Sequence, residues 1–178
     1  MVLMLVAGGD SLGGVREDER KKIGDVLAGF AKTGWVGGLH TGMRGAELLE
    51  TMIGLGLPMD GGEDAHGGLL TREESVEVYV TDDILWMLGL DHEGALPEHE
   101  FRLPESMGVP GGAGFTMDEM LALLAEHQCA WEPYPSLTFD DQTSIKTEGG
   151  VVVSFEPFEP SAEYVLTAMY ASLPEWRG

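Results

Sequence analysis

A chain of 178 residues and 19.2 kDa, 43% hydrophobic and 23% charged, has enough apolar material for one packed domain and too much for wholesale disorder. Its ten Lys+Arg against 31 Asp+Glu give a net charge of −21, which argues against direct nucleic-acid binding and against an anionic membrane surface, since both need basic residues. The longest apolar N-terminal run, residues 2–7, is too short to cross a bilayer and lacks the basic flank of a signal peptide, and the single cysteine, Cys129, excludes a disulfide framework or a Cys-rich zinc site, so the expectation is a cytoplasmic protein.

Residues 2–7 read as a buried strand ending in Gly8-Gly9. Residues 15–31 read as an amphipathic helix, with Val15, Ile23, Val26, Leu27 and Phe30 at helical spacing and a charged opposite side. Residues 35–39 are a weak strand, and residues 45–55 a second helix after the loop His40-Thr41-Gly42-Met43-Arg44. Strand, helix, strand, helix is the pattern of a parallel α/β unit. Residues 59–68 form a Gly/Asp/Glu loop and 76–80 a third strand. Thr81, Asp82 and Asp83 look like the cap and acidic first turn of a short helix to Leu90.

Residues 91–114 read as irregular. Thr116-Met117-Asp118-Glu119 is a capping box opening a helix over 117–127. Residues 143–146 and 151–155 flank Thr147-Glu148-Gly149-Gly150 as a hairpin, and 161–173 reads as a last amphipathic helix. No internal repeat and no linker are evident. The expected architecture is a single α/β domain: a Rossmann-like three-layer core over 1–127 with parallel strands, and a C-terminal extension over 128–178 that makes the sheet mixed, through its hairpin and helix.

Gly-rich loops that lead into helices present free N–H groups and the positive end of the helix dipole, which suit a phosphate. Three segments qualify: Gly8–Gly14, His40–Glu47 and Pro110–Thr116. The stretch Pro110-Gly111-Gly112-Ala113-Gly114-Phe115-Thr116-Met117-Asp118-Glu119 resembles the PGGxGTxxE signature of the Lonely Guy-type (lysine-decarboxylase-like) phosphoribohydrolases. His40–Glu47 resembles the phosphate-loop segment of the wider SLOG superfamily of Rossmann-like nucleotide binders, and Gly8-Gly9 falls where that superfamily has its first loop. The resemblance implies a small nucleotide-type ligand, cleavage of an N-glycosidic bond in the enzymes, Gly111, Gly112, Gly114 and Thr116 on the phosphate, and Glu119 as the catalytic carboxylate. Phe115 is an extra residue relative to the signature, and the upstream Arg-Lys pair of the enzymes is absent. If the loops meet, Gly8, Gly9, Thr41, Gly42, Arg44 and Gly45 share the pocket, with Arg44 the strong cation in these loops. No separate cofactor is expected. Glu119 also has a purely structural reading, as the capping-box partner of Thr116.

Asp91-His92-Glu93 and Glu98-His99-Glu100 gather histidines among carboxylates, but at no known zinc-helix spacing, and no metal is assigned. The acid itself supports another class of function. Residues 1–58 hold seven acids and six bases, and residues 59–178 hold the other 24 acids and only four bases. Such a surface complements a basic protein partner, as in inhibitors that imitate a phosphate backbone or immunity-type proteins. That reading asks Glu93, Glu98, Glu100, Glu105, Asp140, Asp141, Glu156 and Glu159 to share one face, with Trp131, Tyr134 and Trp176 as possible anchors. Self-association is a further open contact, and solubility alone is the bland explanation of the charge.

Overall fold

The computed structural model describes residues 17–63, 68–92, 100–109, 111–139, 141–159 and 162–173. The expected first strand and Gly8-Gly9 lie outside these residues. The protein is a mixed α/β structure: three helices, α1 (Glu17–Thr33), α2 (Gly45–Leu55) and α3 (Met117–Glu126), accompany an eight-stranded sheet. In chain order its strands are β3 (Gly62–Glu63), β4 (Leu69–Glu73), β5 (Val76–Thr81), β6 (Ile84–Asp91), β9 (Trp131–Pro133), β10 (Thr143–Thr147), β11 (Val152–Phe158) and β12 (Glu163–Ser172). Two short pairs stand apart: β1 (Trp35–Val36) with β2 (Leu39–His40), and β7 (Phe101–Arg102) with β8 (Gly112–Ala113).

The order across the large sheet is β3-β4-β5-β6-β12-β11-β10-β9, and every strand pairing among the described residues is antiparallel. This corrects the parallel arrangement expected of residues 35–39 and 76–80. The first of these is a tight hairpin, turned by Gly37 and Gly38 at φ 57° and 87°, and is not part of the large sheet. Residues 84–91 and 163–172, expected to be helical, are β6 and β12, the two central strands. The extension beyond residue 127 is therefore half of the sheet rather than an appendage.

One face of the sheet carries the core. Val76, Val78, Leu88, Leu90, Val153 and Met169 are fully buried there, in one cluster with Leu48 and Met52 of α2, Met120 and Leu124 of α3, and Leu27 and Phe30 of α1. The layering is thus helices on one side of the sheet. Alternate positions such as Glu77, Tyr79, Met87 and Tyr170 point to the opposite face.

Apart from α1 and the two short strand pairs, the molecule repeats one arrangement, a helix followed by a four-stranded meander. Residues 42–57 match 114–129 at a constant offset, since Arg44 to Thr116 is 72 positions and so is Leu57 to Cys129. Arg44 and Thr116 are the two N-caps, and each bridges the start of a central strand, at Ile84 and Val165. Buried Leu48 and Met52 correspond to Met120 and Leu124. Past each helix, Gly56 and Gln128 take left-handed φ values of 80° and 53°, and the next N–H closes onto the helix: Leu57 to the Met52 carbonyl (3.0 Å), Cys129 to that of Leu124 (2.8 Å). Both meanders carry a register shift at the same place, between Tyr79 and Val80 and between Ser154 and Phe155. The halves join about a pseudo-two-fold axis between Gly89 and Tyr170, which are equivalent and directly paired. Leu88 pairs with Ala171 and Leu90 with Met169, as that axis requires.

The copies differ in their last hairpin. β5 and β6 close through Asp82-Asp83 alone, at φ 52° and 60°, a turn with both central residues left-handed. Such turns favour Asn-Gly or Asp-Gly because a Cβ is strained there. Asp83→Gly is therefore expected to stabilise the protein by about 0.5–1 kcal/mol, read as a rise of roughly 1–4 °C in melting temperature by circular dichroism. A fall in melting temperature would contradict the turn assignment.

Candidate functional site

The two described glycine loops lie on opposite sides of the pseudo-two-fold axis. Gly42 donates its N–H to the Leu85 carbonyl (2.7 Å), and the Leu173 side chain lies 3.7 Å from where its Cβ would be. Thr116 sits beside Val165, at the other end of β12. The eight steps from Val165 to Leu173 correspond to roughly 26 Å of extended strand. Thr41, Gly42, Arg44 and Gly45 therefore do not share a pocket with Gly111, Gly112, Gly114 and Thr116. Gly8 and Gly9 lie outside the described residues.

At the end of the second loop, the N–H groups of Thr116 and Glu119 are engaged by the chain itself. The Thr116 N–H donates to the Glu119 carboxylate (2.9 Å), and the Glu119 N–H donates to the Thr116 hydroxyl (3.2 Å), which is the full capping box. Arg20 of α1 donates to the same carboxylate (2.7 Å) and to the Gly114 carbonyl (3.0 Å), with its guanidinium 4.6 Å over the Phe115 ring. Phe115, extra relative to the phosphoribohydrolase signature, is buried and takes the place that Met43 has in the first copy. Burial pushes the Glu119 carboxyl up, but the Thr116 N–H and Arg20 together outweigh it and hold the group below its usual range. Glu119 thus stands as an ionised carboxylate joining α1 to α3, beside a cleft of about 440 Å³ between those helices. Arg44 is exposed and caps α2 through its backbone, with no side-chain cap.

Among the described residues no group of three or more His, Cys, Asp and Glu could hold a metal. Glu93, Glu98 and His99 lie outside them. Of the acids expected on one face, Glu93, Glu98 and Asp140 are likewise outside. Asp141, Glu156 and Glu159 are exposed and gather where β10 begins and β11 ends, since Thr143 pairs with Phe155. Glu105 lies elsewhere, in the 3-10 turn Glu105–Met107 packed on α2, and Glu100 is paired with Arg102 (3.2 Å). Tyr134 is half-buried and stacks under Lys146, Trp131 is exposed on edge strand β9, and Trp176 lies outside the described residues.

Two features were not singled out from the sequence. The first is a polar cluster on the open face of the sheet. Tyr170 reaches across the bare Cα of Gly89 and places its hydroxyl 2.7 Å from the Asp91 carboxylate and 3.0 Å from that of Glu77. Arg72 pairs with Glu77 from the next strand (2.9 Å), and Tyr79 donates to Glu77 (3.3 Å). The cluster ties β4, β5, β6 and β12 together. Burial, and then the Glu77 carboxylate, push the Tyr79 phenol up to about 12; burial and the bond to Asp91 push Tyr170 up as well. The unfolded chain's tyrosines ionise near 10, so the folded state holds protons that the unfolded state releases. The stability from these phenols is complete below pH 10 and falls as pH rises from there, the Tyr79 share being lost through about 12 and the Tyr170 share later. Melting temperature followed from pH 8 to 12 should fall steeply above 10, and Tyr79→Phe/Tyr170→Phe should flatten that fall. An unchanged slope in the double variant would contradict this account.

The second is an apolar groove of about 450 Å³ between α2 and the β5–β6 hairpin. Leu48, Leu49, Met52, Met59, Leu69 and Val80 line it, and Asp82 and Asp83 stand at its mouth. Its signal in the sequence is the run of α2: Leu48 and Met52 account for the core face, which leaves Leu49 and Ile53 without a place inside. They are 44% and 59% exposed.

Comparison with family models, curated proteins and solved structures finds no match to this chain. No helix among the described residues is long and apolar enough to cross a membrane.

Proposed function

We propose that this protein is an acidic interaction protein that binds a basic protein partner. The observation that carries this reading is the imbalance of charge in the folded chain. From residue 59 onward, the described bases are already used internally: Arg72 by Glu77, Arg102 by Glu100, and Lys146 over the Tyr134 ring. Exposed carboxylates such as Asp60, Asp141 and Glu156 then face solvent with little basic charge beside them, while Asp82 and Asp83 have Arg44 near, bridged to Ile84. A field of one sign speeds encounter with a partner of the other and repels nucleic acid and anionic lipid. The other reading, a Rossmann-like nucleotide binder that hydrolyses an N-glycosidic bond, requires parallel strands and converging glycine loops, and neither occurs among the described residues.

The test is retention of basic proteins on the immobilised chain at 50 and 300 mM salt. Exposed charges are screened over about 8–10 Å at physiological ionic strength, so a partner held at low salt should be retained at least tenfold less at high salt. Retention of no basic protein at either salt would overturn the reading. So would a rise of several degrees in melting temperature with a nucleotide, which would favour the phosphate-binding alternative by mass action.

A further inference from the structure

The duplication supplies an internal control for the groove beside α2. In the second half the equivalent surface is filled by the chain itself. Met117, the counterpart of Gly45, and Leu121, the counterpart of Leu49, are partly buried and packed on the core, as is Tyr164 at the position of Asp83. In the first half, a Cβ at Gly45 would meet nothing within 4 Å, and Asp83 puts a charge where the other copy has an aromatic ring. The same two differences therefore open the apolar groove and make its mouth anionic. Around it Leu49, Ile53 and Met59 stay 44%, 59% and 46% exposed. Among the described residues, the exposed charges nearby on α2 and its flanks are Glu47, Glu50, Asp60, Asp82 and Asp83 against Arg44.

We propose that this groove is the docking site of the basic partner, and that it takes a large apolar side chain from a segment bearing lysine or arginine. The proposal rests on the reading of the protein as an acidic binder and adds to it the place and the chemistry of contact. The second copy shows what fits there: an unbranched chain such as that of Met117 and a ring such as that of Tyr164. Asp82 and Asp83 lie within the groove's own lining, so a cation beside the anchor meets them as the anchor enters. Charge at the rim would set the encounter rate, and the buried anchor the lifetime of the complex. Burying Leu49 and Met59, which line the groove and are 44% and 46% exposed, would also remove apolar surface from water.

Fluorescence anisotropy with two labelled probes tests this: a 14-residue amphipathic peptide of leucine and lysine, and a 14-residue all-lysine peptide. The variants are Leu49→Glu, Asp82→Lys/Asp83→Lys, and a charge-matched pair far from the groove, Glu156→Lys/Glu159→Lys. All five positions are exposed, and a melting curve for each variant confirms that it folds. At 150 mM salt, Leu49→Glu should weaken the leucine-lysine peptide at least tenfold without weakening the all-lysine one. Asp82→Lys/Asp83→Lys should weaken the leucine-lysine peptide at least tenfold, and the distant pair less than threefold. Equal losses from the two charge-reversed pairs, or no loss from Leu49→Glu, would overturn the groove while leaving the acidic reading standing. Failure of both peptides to bind the unmodified protein even at 50 mM salt would overturn both.

Discussion

Gly89→Tyr is expected to destabilise the protein by about 3–5 kcal/mol and to lower its melting temperature by roughly 10–15 °C. A Cβ at Gly89 would lie 2.6 Å from Tyr170 Cδ1 and 3.3 Å from its Cζ, with Cε1 nearer still. The ring must lift, and its hydroxyl then leaves Asp91 and Glu77. Because residues 89 and 170 are equivalent about the axis, the exchange Gly89→Tyr/Tyr170→Gly should recover the packing with the ring entering from the other strand. It should not recover the hydrogen bonds, since the counterparts of Glu77 and Asp91 are Val152 and Ser172. Chemical denaturation of the four proteins in this cycle gives the coupling directly, expected at 2 kcal/mol or more. A single variant within about 1 kcal/mol of the parent would contradict the packing of Tyr170 over Gly89, and an exchange no more stable than the single variant would contradict the placement of the axis.

The second large effect concerns the chain's division. Truncation after residue 127 should abolish cooperative folding. It removes β9 to β12, strips β6 of its partner along Met87–Asp91, and uncovers Leu88 and Leu90. It leaves α3 without the strands against which Met120 and Leu124 are buried. Collapsed amide dispersion in a proton–nitrogen spectrum, with no sigmoidal denaturant transition, is the expected result. A cooperative transition for residues 1–127 would mean that the first half folds on its own.

The helices were legible because their signals are local. The period of apolar residues placed α1, and the capping box and period placed α3 to within a residue. The β10–β11 hairpin was legible from its Gly-Gly turn. β6 and β12 were not. At the centre of the sheet they carry apolar residues on both faces, so strict alternation is lost, and Tyr164, Val165, Ala168 and Met169 fall as readily on a helical stripe. Thr81-Asp82-Asp83 reads as a cap with an acidic first turn, whereas the chain uses it to reverse direction.

The duplication was hidden by divergence: between residues 42–57 and 114–129 only Gly42/Gly114, Glu47/Glu119 and Leu49/Leu121 are identical. What survives is burial and backbone conformation, which a single sequence does not display. It also accounts for the likeness between the two glycine loops. Both resembled segments of one nucleotide-binding superfamily because both are copies of one helix-capping segment, and the axis that relates them holds them apart.

The pairing of β6 with β12 has a consequence during synthesis. β6 is complete at Asp91, but the strand that covers its edge begins only at Glu163, a delay of roughly 4–15 s at 5–20 residues per second. Through that interval Met87–Asp91, with Leu88 and Leu90 among them, lacks the strand that it pairs with in the folded protein. When β12 arrives, Tyr170 fills the notch over Gly89 in direct register with it, and that fit is what fixes the pairing of the two central strands.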